Sequence, residues 1–482
     1  MNKKMSKSVT KNYLYNMIYQ ILISIVPLIT TPYLSRTLGA EAIGIYSYTL
    51  SIVTYFILFG SLGIAIYAQR EIAYAQNDKE TRSKVFFEIL ILRFITMAIS
   101  IIVFYFTCIK NTEYGMYYKI FLIQMIANCL DISWFFQGLE EFKKTVMRNT
   151  IVKIISVILI LLLIKKPEDL LLYILIYCLS TLIGNLSLWI YLPKYICKQK
   201  LKNLEFKKHL RPLLELFIPQ IAVQVYTVLD KTMIGAIVND KSEVGYYEQA
   251  EKIVKLLLTV ITSLGTVMLP RISYEFANKN KEKIKETMEK SINFVLILSF
   301  PMIMGLIVIS PNFIPLFLGD GFEPSITIMQ LLTPIILFIG MGGIIGTQLL
   351  LPTKRQKQYT IAVVLGAIIN VILNLMLIGK IGAKGATIGT VAAEFVSMSV
   401  QIYFIRKDID INIMLKKAIK YFVLSVVMLI VCMSIYILEI NRLATVVLQV
   451  LIGVSVYFGL LVITKDDFTR ALISKVKKIL IK

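Results

Sequence analysis

The chain has 482 residues, 57% of them hydrophobic, with a mean hydropathy of +0.73 and a formal net charge of +22. A composition this apolar excludes an ordinary soluble domain and defines a polytopic membrane protein. The five cysteines lack metal-ligand spacing and there is one histidine, so no catalytic residue, bound metal or cofactor is expected.

Apolar runs of the length a helix needs to cross hydrocarbon begin with six at 13–35, 44–67, 86–109, 115–137, 146–164 and 169–192. Six more follow at 213–237, 246–270, 291–310, 326–350, 359–379 and 384–405, and two close the chain at 417–437 and 443–464. The expected fold is therefore an all-α polytopic membrane protein with about 14 transmembrane helices. The first run follows Lys3, Lys4, Lys7 and Lys11 but is too long for a signal-peptide core and lacks a small-residue cleavage site, so it reads as a retained helix.

Lysine and arginine alternate by loop. With basic residues at run edges counted in the adjoining loop, the N-terminus, the loops after even-numbered runs and the C-terminal tail hold 38 of the 52, and the loops after odd-numbered runs hold 8. By the positive-inside rule both termini are cytoplasmic, in agreement with an even number of spans. The basic excess is then a topology signal with affinity for anionic lipid heads, and no nucleic-acid partner is expected.

The longest internal loop, KYICKQKLKNLEFKKHLRP from Lys194 to Pro212, is basic with spaced apolar residues. It reads as an interfacial amphipathic helix on the cytoplasmic side, with His209 as a solvated loop residue. On either side of it, IGIYSYTLSI at 43–52 matches VGYYEQAEKI at 244–253, and SLGIAIYAQR at 61–70 resembles SLGTVMLPR at 263–271, at an offset near 201 residues. The expected organisation is a six-helix lobe over 1–193, the linker over 194–212, a second six-helix lobe over 213–405, and two further helices with a basic tail over 406–482.

Polar residues within the runs point to the site. CLDISWFFQGLEEFKK at 129–144 places Asp131 where a carboxylate is costly, about 2.5 to 3.5 kcal/mol at a helix centre. Run 7 carries Gln220, Gln224, Thr227 and Lys231 on one helix face, and run 8 repeats the spacing with Lys255, Thr259, Thr262 and Thr266. Run 12 has Thr387, Thr390, Glu394, Ser397 and Gln401, run 4 has Gln124, Asn128 and Asp131, and run 1 has Asn16, Gln20 and Ser24. Interhelical hydrogen bonding in a dry bundle is the bland reading of each stripe; five stripes together point to a shared wet cavity. Asp131 would then face water and a counter-charge such as Arg93 or Lys153. Glu248/Lys252 and Glu251/Lys255 are spaced to pair at i,i+4. Basic residues slightly outnumber acidic ones at the deep positions, which suits an anionic substrate. No G-x-x-x-x-G-K-[ST] loop is present, so transport would run downhill or be coupled to an ion, with Asp131, Asp230 and Glu394 as protonatable candidates.

WFFQGLEEFKK at 134–144, PYLSRTLGAEAIGIYSYTLSI at 32–52 and DKTMIGAIVNDKSEVGYYEQAEKI at 230–253 resemble the Wzx-type polysaccharide flippases of the multidrug/oligosaccharidyl-lipid/polysaccharide exporter superfamily. The resemblance covers nearly the whole chain. It implies two six-helix lobes around a central V-shaped cavity lined by spans 1, 2, 7 and 8, with two C-terminal helices added. It also implies a substrate, an oligosaccharide repeat unit on undecaprenyl diphosphate, moved to the outer leaflet of a bacterial cytoplasmic membrane for capsule or O-antigen assembly. Ion coupling is implied as well, with membrane lipids, a polymerase and chain-length machinery as partners. On that expectation Arg93, Lys153, Lys231 and Lys255 hold the diphosphate, while Asn16, Gln20, Gln124, Asn128, Gln220, Gln224, Thr227, Thr259 and Thr262 line the cavity. The rivals are a drug or cation antiporter of the same superfamily and a scaffold of the polymer-assembly machinery that moves nothing.

Overall fold

The computed structural model describes residues 2–110, 112–199, 204–466 and 470; among these it describes side chains other than those of 2–24, 216, 218–220, 222–226, 264–271 and 277. Asn16, Gln20, Gln220 and Gln224 fall outside the described side chains. Among the described residues every regular element is helical. A chain so rich in β-branched residues would favour strands in water, but in hydrocarbon each backbone group must find its partner within the segment, and the helix does this locally.

The chain divides into two compact units, Met1–Gly245 and Tyr246–Lys482. The first holds α1 (Asn2–Ser61), α2 (Ile64–Tyr74), α3 (Lys79–Phe104), α4 (Gly115–Cys129), α5 (Ser133–Gly138), α6 (Phe142–Leu163), α7 (Leu170–Trp189) and α8 (Lys207–Ile237). α9 (Ser242–Ala277) begins at the end of this unit. The second continues with α10 (Lys281–Leu318), α11 (Pro324–Leu332), α12 (Ile335–Gly342), α13 (Gln356–Ile381), α14 (Ala383–Ile405), α15 (Ile411–Ser434) and α16 (Arg442–Ile463).

Eleven helical stretches among the described residues are long and apolar enough to cross a bilayer. The first, Ile25–Tyr74, has 50 residues and contains a break at Gly39, whose φ of 78° and ψ of 175° fall where only glycine sits without strain. α1 therefore serves as two predicted spans. α8 and α9, at 31 and 36 residues, are also long enough to cross, so the fourteen predicted spans are accommodated.

Glycines explain one close approach in the first unit. A Cβ on Gly44 would strike the Lys241 carbonyl, and one on Gly245 would strike the Ala40 carbonyl. The two contacts are related by the 201-residue offset of the sequence repeat, so the matched Gly-Tyr motifs mark equivalent crossings.

The linker differs from expectation. Its described residues 195–199 and 204–206 are not helical, and α8 starts at Lys207. The backbone there is held by side chains instead. Arg82 donates to the Tyr195 carbonyl at 2.7 Å, Ser83 accepts from the Cys197 amide at 2.9 Å, and Glu88 accepts from the Glu205 amide at 2.7 Å. All three holding residues lie on α3. Two amides and one carbonyl of these described residues are thus met by α3 side chains instead of by a helical ladder.

Candidate functional site

Asp131 sits at a helix break rather than in a helix centre. α4 ends at Cys129 and α5 starts at Ser133, and the Asp131 carboxylate accepts the Ser133 amide at 2.9 Å. The carbonyls that the break frees are met by Arg93, which is buried on α3. Its guanidinium donates to the Asp131 carbonyl at 3.0 Å, to the Asn128 carbonyl, and to Asn128 Oδ1 at 3.1 Å. Ser61 donates to the same Asn128 oxygen at 3.2 Å. Both terminal nitrogens of Arg93 are thus engaged at the end of α4, which weighs against its assignment as a diphosphate ligand. The same geometry corrects Gln124 and Asn128 as cavity lining: Gln124 is buried, and Asn128 belongs to the Arg93 cap.

The tryptophan-phenylalanine motif is a packing device. Trp134, Phe135 and Phe136 are fully buried and meet Phe86 and Tyr195, with the Phe86 and Trp134 rings stacked at 5.5 Å. Trp134 Nε1 donates to the Asp131 carbonyl at 3.0 Å and Trp189 Nε1 to the Leu130 carbonyl at 2.8 Å. Lys144, near the start of α6, bonds the Tyr195 hydroxyl, which donates to Glu141 at 3.0 Å. The motif thus fastens the helix break and the strap to one aromatic core.

His209 is the second correction. It is 2% exposed rather than solvated, with Nε2 2.9 Å from Glu88 Oε2 and Nδ1 2.7 Å from the Tyr67 hydroxyl. Glu88 is fully buried and also meets Lys208 at 3.0 Å. The cluster escapes a sequence reading, since its members lie on α2, α3 and α8. The one signal available is a lone histidine beside spaced apolar residues, Phe206, Leu210 and Leu213.

The remaining predicted residues of the first unit divide by exposure. Lys153 and Lys231 are half-buried, Thr227 is exposed and Asp230 is buried. Next to them Thr232 donates to Ser51 at 2.8 Å and to Tyr55 at 3.1 Å, joining α8 to α1 through hydroxyls.

In the second unit Lys255 pairs with Glu251 at 2.6 Å and Lys252 lies 3.9 Å from Glu248, as the i,i+4 spacing predicts. Thr259 and Thr262 are exposed, their hydroxyls bonded back to their own helix. The α14 stripe behaves differently. Thr387, Ser397 and Gln401 are buried, and Gly366 and Gly389 bring α13 and α14 close enough that a Cβ would meet the Ala393 carbonyl or Asn374. Glu394 is half-buried. This stripe is a dry polar seam, not a wall of a wet cavity.

The last two spans have no role legible in the sequence, and the structure supplies one. α15 and α16 pack against α10, and between them lies a groove of about 620 Å³ lined by residues such as Phe294, Pro301, Gly305, Cys432, Val450 and Gly453. Its few polar groups are turned to backbone: Tyr457 donates to the Ile297 carbonyl at 2.8 Å and Gln449 to the Cys432 carbonyl at 3.3 Å. At one end Tyr421 lies 2.9 Å from Asn293 and 3.0 Å from Asp466, which also meets Lys420 at 2.8 Å, so all three helices are tied together.

The fold defines a multi-pass helical membrane protein. The chain belongs to the family described as polysaccharide biosynthesis protein, whose model matches residues 9–275; residues 216–376 also match the MatE family. It is 22% identical over 406 residues to a putative O-antigen transporter of Escherichia coli K12, covering 83% of this chain and 97% of the relative. It is 23% identical to the capsular polysaccharide biosynthesis protein CapF of Staphylococcus aureus, covering 82% and 99%. Among solved structures, the lipid II flippase MurJ in an inward closed conformation superposes with a TM-score of 0.75 at 20% identity, over 96% of this chain and all of that one. An inward-facing multidrug transporter of the MATE family gives 0.58 at 15% identity, over 82% and 99%. Of these, one relative is named as an O-antigen transporter and the two solved structures as a flippase and a multidrug transporter.

Proposed function

We propose that the chain flips a lipid-linked oligosaccharide, a repeat unit on undecaprenyl diphosphate, from the cytoplasmic to the outer leaflet of a bacterial membrane for capsule or O-antigen synthesis. The names of the full-length relatives support the substrate class. The observation that carries the reading is the α10–α15–α16 groove. Walls this apolar are wetted by hydrocarbon rather than by water. An isoprenoid tail fits such walls, and a cationic drug finds no counter-charge there. Since lipid is as apolar as the groove, the gain is positional: contacts in the groove hold the tail while its headgroup crosses.

Lys153, Lys231 and Lys255 are the cations assigned to the diphosphate, with Lys255 exchanging Glu251 for phosphate oxygens. Asp230 and Glu394 are assigned to ion coupling; Asp131 suits it less, since its carboxylate caps α5. Movement is by alternating access, with both termini cytoplasmic and a polymerase and chain-length machinery receiving the product. Charge reversal at Lys231, with membrane level monitored, is expected to abolish surface polymer. Normal polymer in Lys231→Glu would remove that lysine from the site.

A further inference from the structure

The single histidine of the chain is held between groups from two other helices. A phenol donates readily and an ionised carboxylate only accepts, so the partners assign the neutral ring: Nε2–H donates to Glu88 and Nδ1 accepts from Tyr67. Glu88 accepts in addition from the Glu205 amide and from Lys208. Two side chains from consecutive residues, Lys208 and His209, thus share one buried carboxylate.

The charges facing this cluster come from four elements. From α2, Arg70 lies 5.3 Å from the Tyr67 ring and pairs with Glu71 at 3.2 Å. From α3, Lys84 lies 4.0 Å from Glu88. From the strap, Glu205 lies 3.9 Å from Lys84 and 3.8 Å from Lys208, and further along α8 Arg211 pairs with Glu215 at 3.2 Å. The other side is closed by the apolar cluster that includes Phe86, Trp134 and Leu213.

We propose that Tyr67, His209 and Glu88 form a proton-binding site that sets how the start of α8 is fastened to α2 and α3. A proton taken up from water at Nδ1 makes the ring an imidazolium that donates at both ends. The Tyr67 hydroxyl turns to accept, the bond to Glu88 remains, and no hydrogen bond is lost. What changes is one added positive charge beside Glu88, now neutralised by the ring, so Lys208 and Lys84 are repelled and the half-exposed Lys208 returns to water. Lys208 belongs to the first turn of α8, so proton occupancy loosens or tightens that turn. The site shares no residue with those assigned to the substrate and goes beyond the transport reading.

Because there is one histidine, nitrogen-15 labelling of histidine in the full chain, without a histidine tag, reports this ring alone. Neutral protein is expected to show Nε2 protonated and Nδ1 as an acceptor, then a single step to imidazolium as the sample is acidified. Glu88→Gln should move the step to lower pH. Tyr67→Phe, which preserves the ring packing and the carboxylate, should remove the Nδ1 hydrogen-bond shift. A ring that never titrates in the intact protein, a step left in place by Glu88→Gln, or a spectrum unchanged by Tyr67→Phe would each overturn the proposal. These spectra are read without transport, so they stand or fall separately from the flippase assignment.

Discussion

Around α3 of the first unit the buried charges are consumed by the structure itself, whereas between α10, α15 and α16 of the second the walls offer nothing but apolar surface. Arg93 serves carbonyls at the end of α4, and Glu88 serves the strap and the first turn of α8. The groove turns its few polar groups inward to backbone. A charge inside a membrane protein is therefore a helix-end or chain-fastening device until an open face is seen beside it, while apolar space between helices is where a lipid chain can be held.

Four tests sharpen this contrast, and the first two strike the fastening region. Trp134→Ala removes a fully buried ring from the aromatic core and is expected to cost about 3 to 5 kcal/mol, read as a fall in thermal midpoint in detergent. Arg93→Leu strands the Asn128 and Asp131 carbonyls and should cost on the order of 3 kcal/mol. Folded Arg93→Leu protein should still transport at a normal rate per molecule. A stable variant that fails to transport would return Arg93 to the substrate site.

The other two strike the open faces. Gly305→Leu has space for its side chain, since a Cβ added there would meet no atom within 4 Å, and it should leave stability unchanged or raise it by up to about 1 kcal/mol. Flipping should nonetheless fall by at least about tenfold if tail contacts of about 1.4 kcal/mol are lost. The smallest effect is chemical. Thiols at Thr259→Cys and Thr262→Cys should react with a water-borne reagent, while Ser397→Cys in the α13–α14 seam should resist it. Equal labelling at all three would erase the distinction between an open face and a dry seam.

Much of the fold is readable from sequence. Twenty-residue apolar runs mark spans because bilayer thickness fixes helix length, and the break in α1 falls at the glycine of SRTLGAEAIG. The i,i+4 pairs of α9 follow from helical spacing. What a polar stripe faces does not follow, because periodicity gives the direction of a face and not its neighbour; the α9 threonines are exposed while the α14 stripe is sealed against α13. The burial of His209 is hidden because its carboxylate partner lies 121 residues away. The groove is illegible, since an apolar residue beside space looks the same as one in a packed core.

The most direct test is a flipping assay in vesicles carrying a labelled sugar on prenyl diphosphate, comparing the unaltered chain with Gly305→Leu at equal protein. The account predicts that the unaltered chain moves the label across the bilayer and that the leucine in the groove slows it at least about tenfold while the protein stays folded. A folded, unaltered chain that leaves the label in its starting leaflet, or a Gly305→Leu chain that flips at full rate, would contradict it.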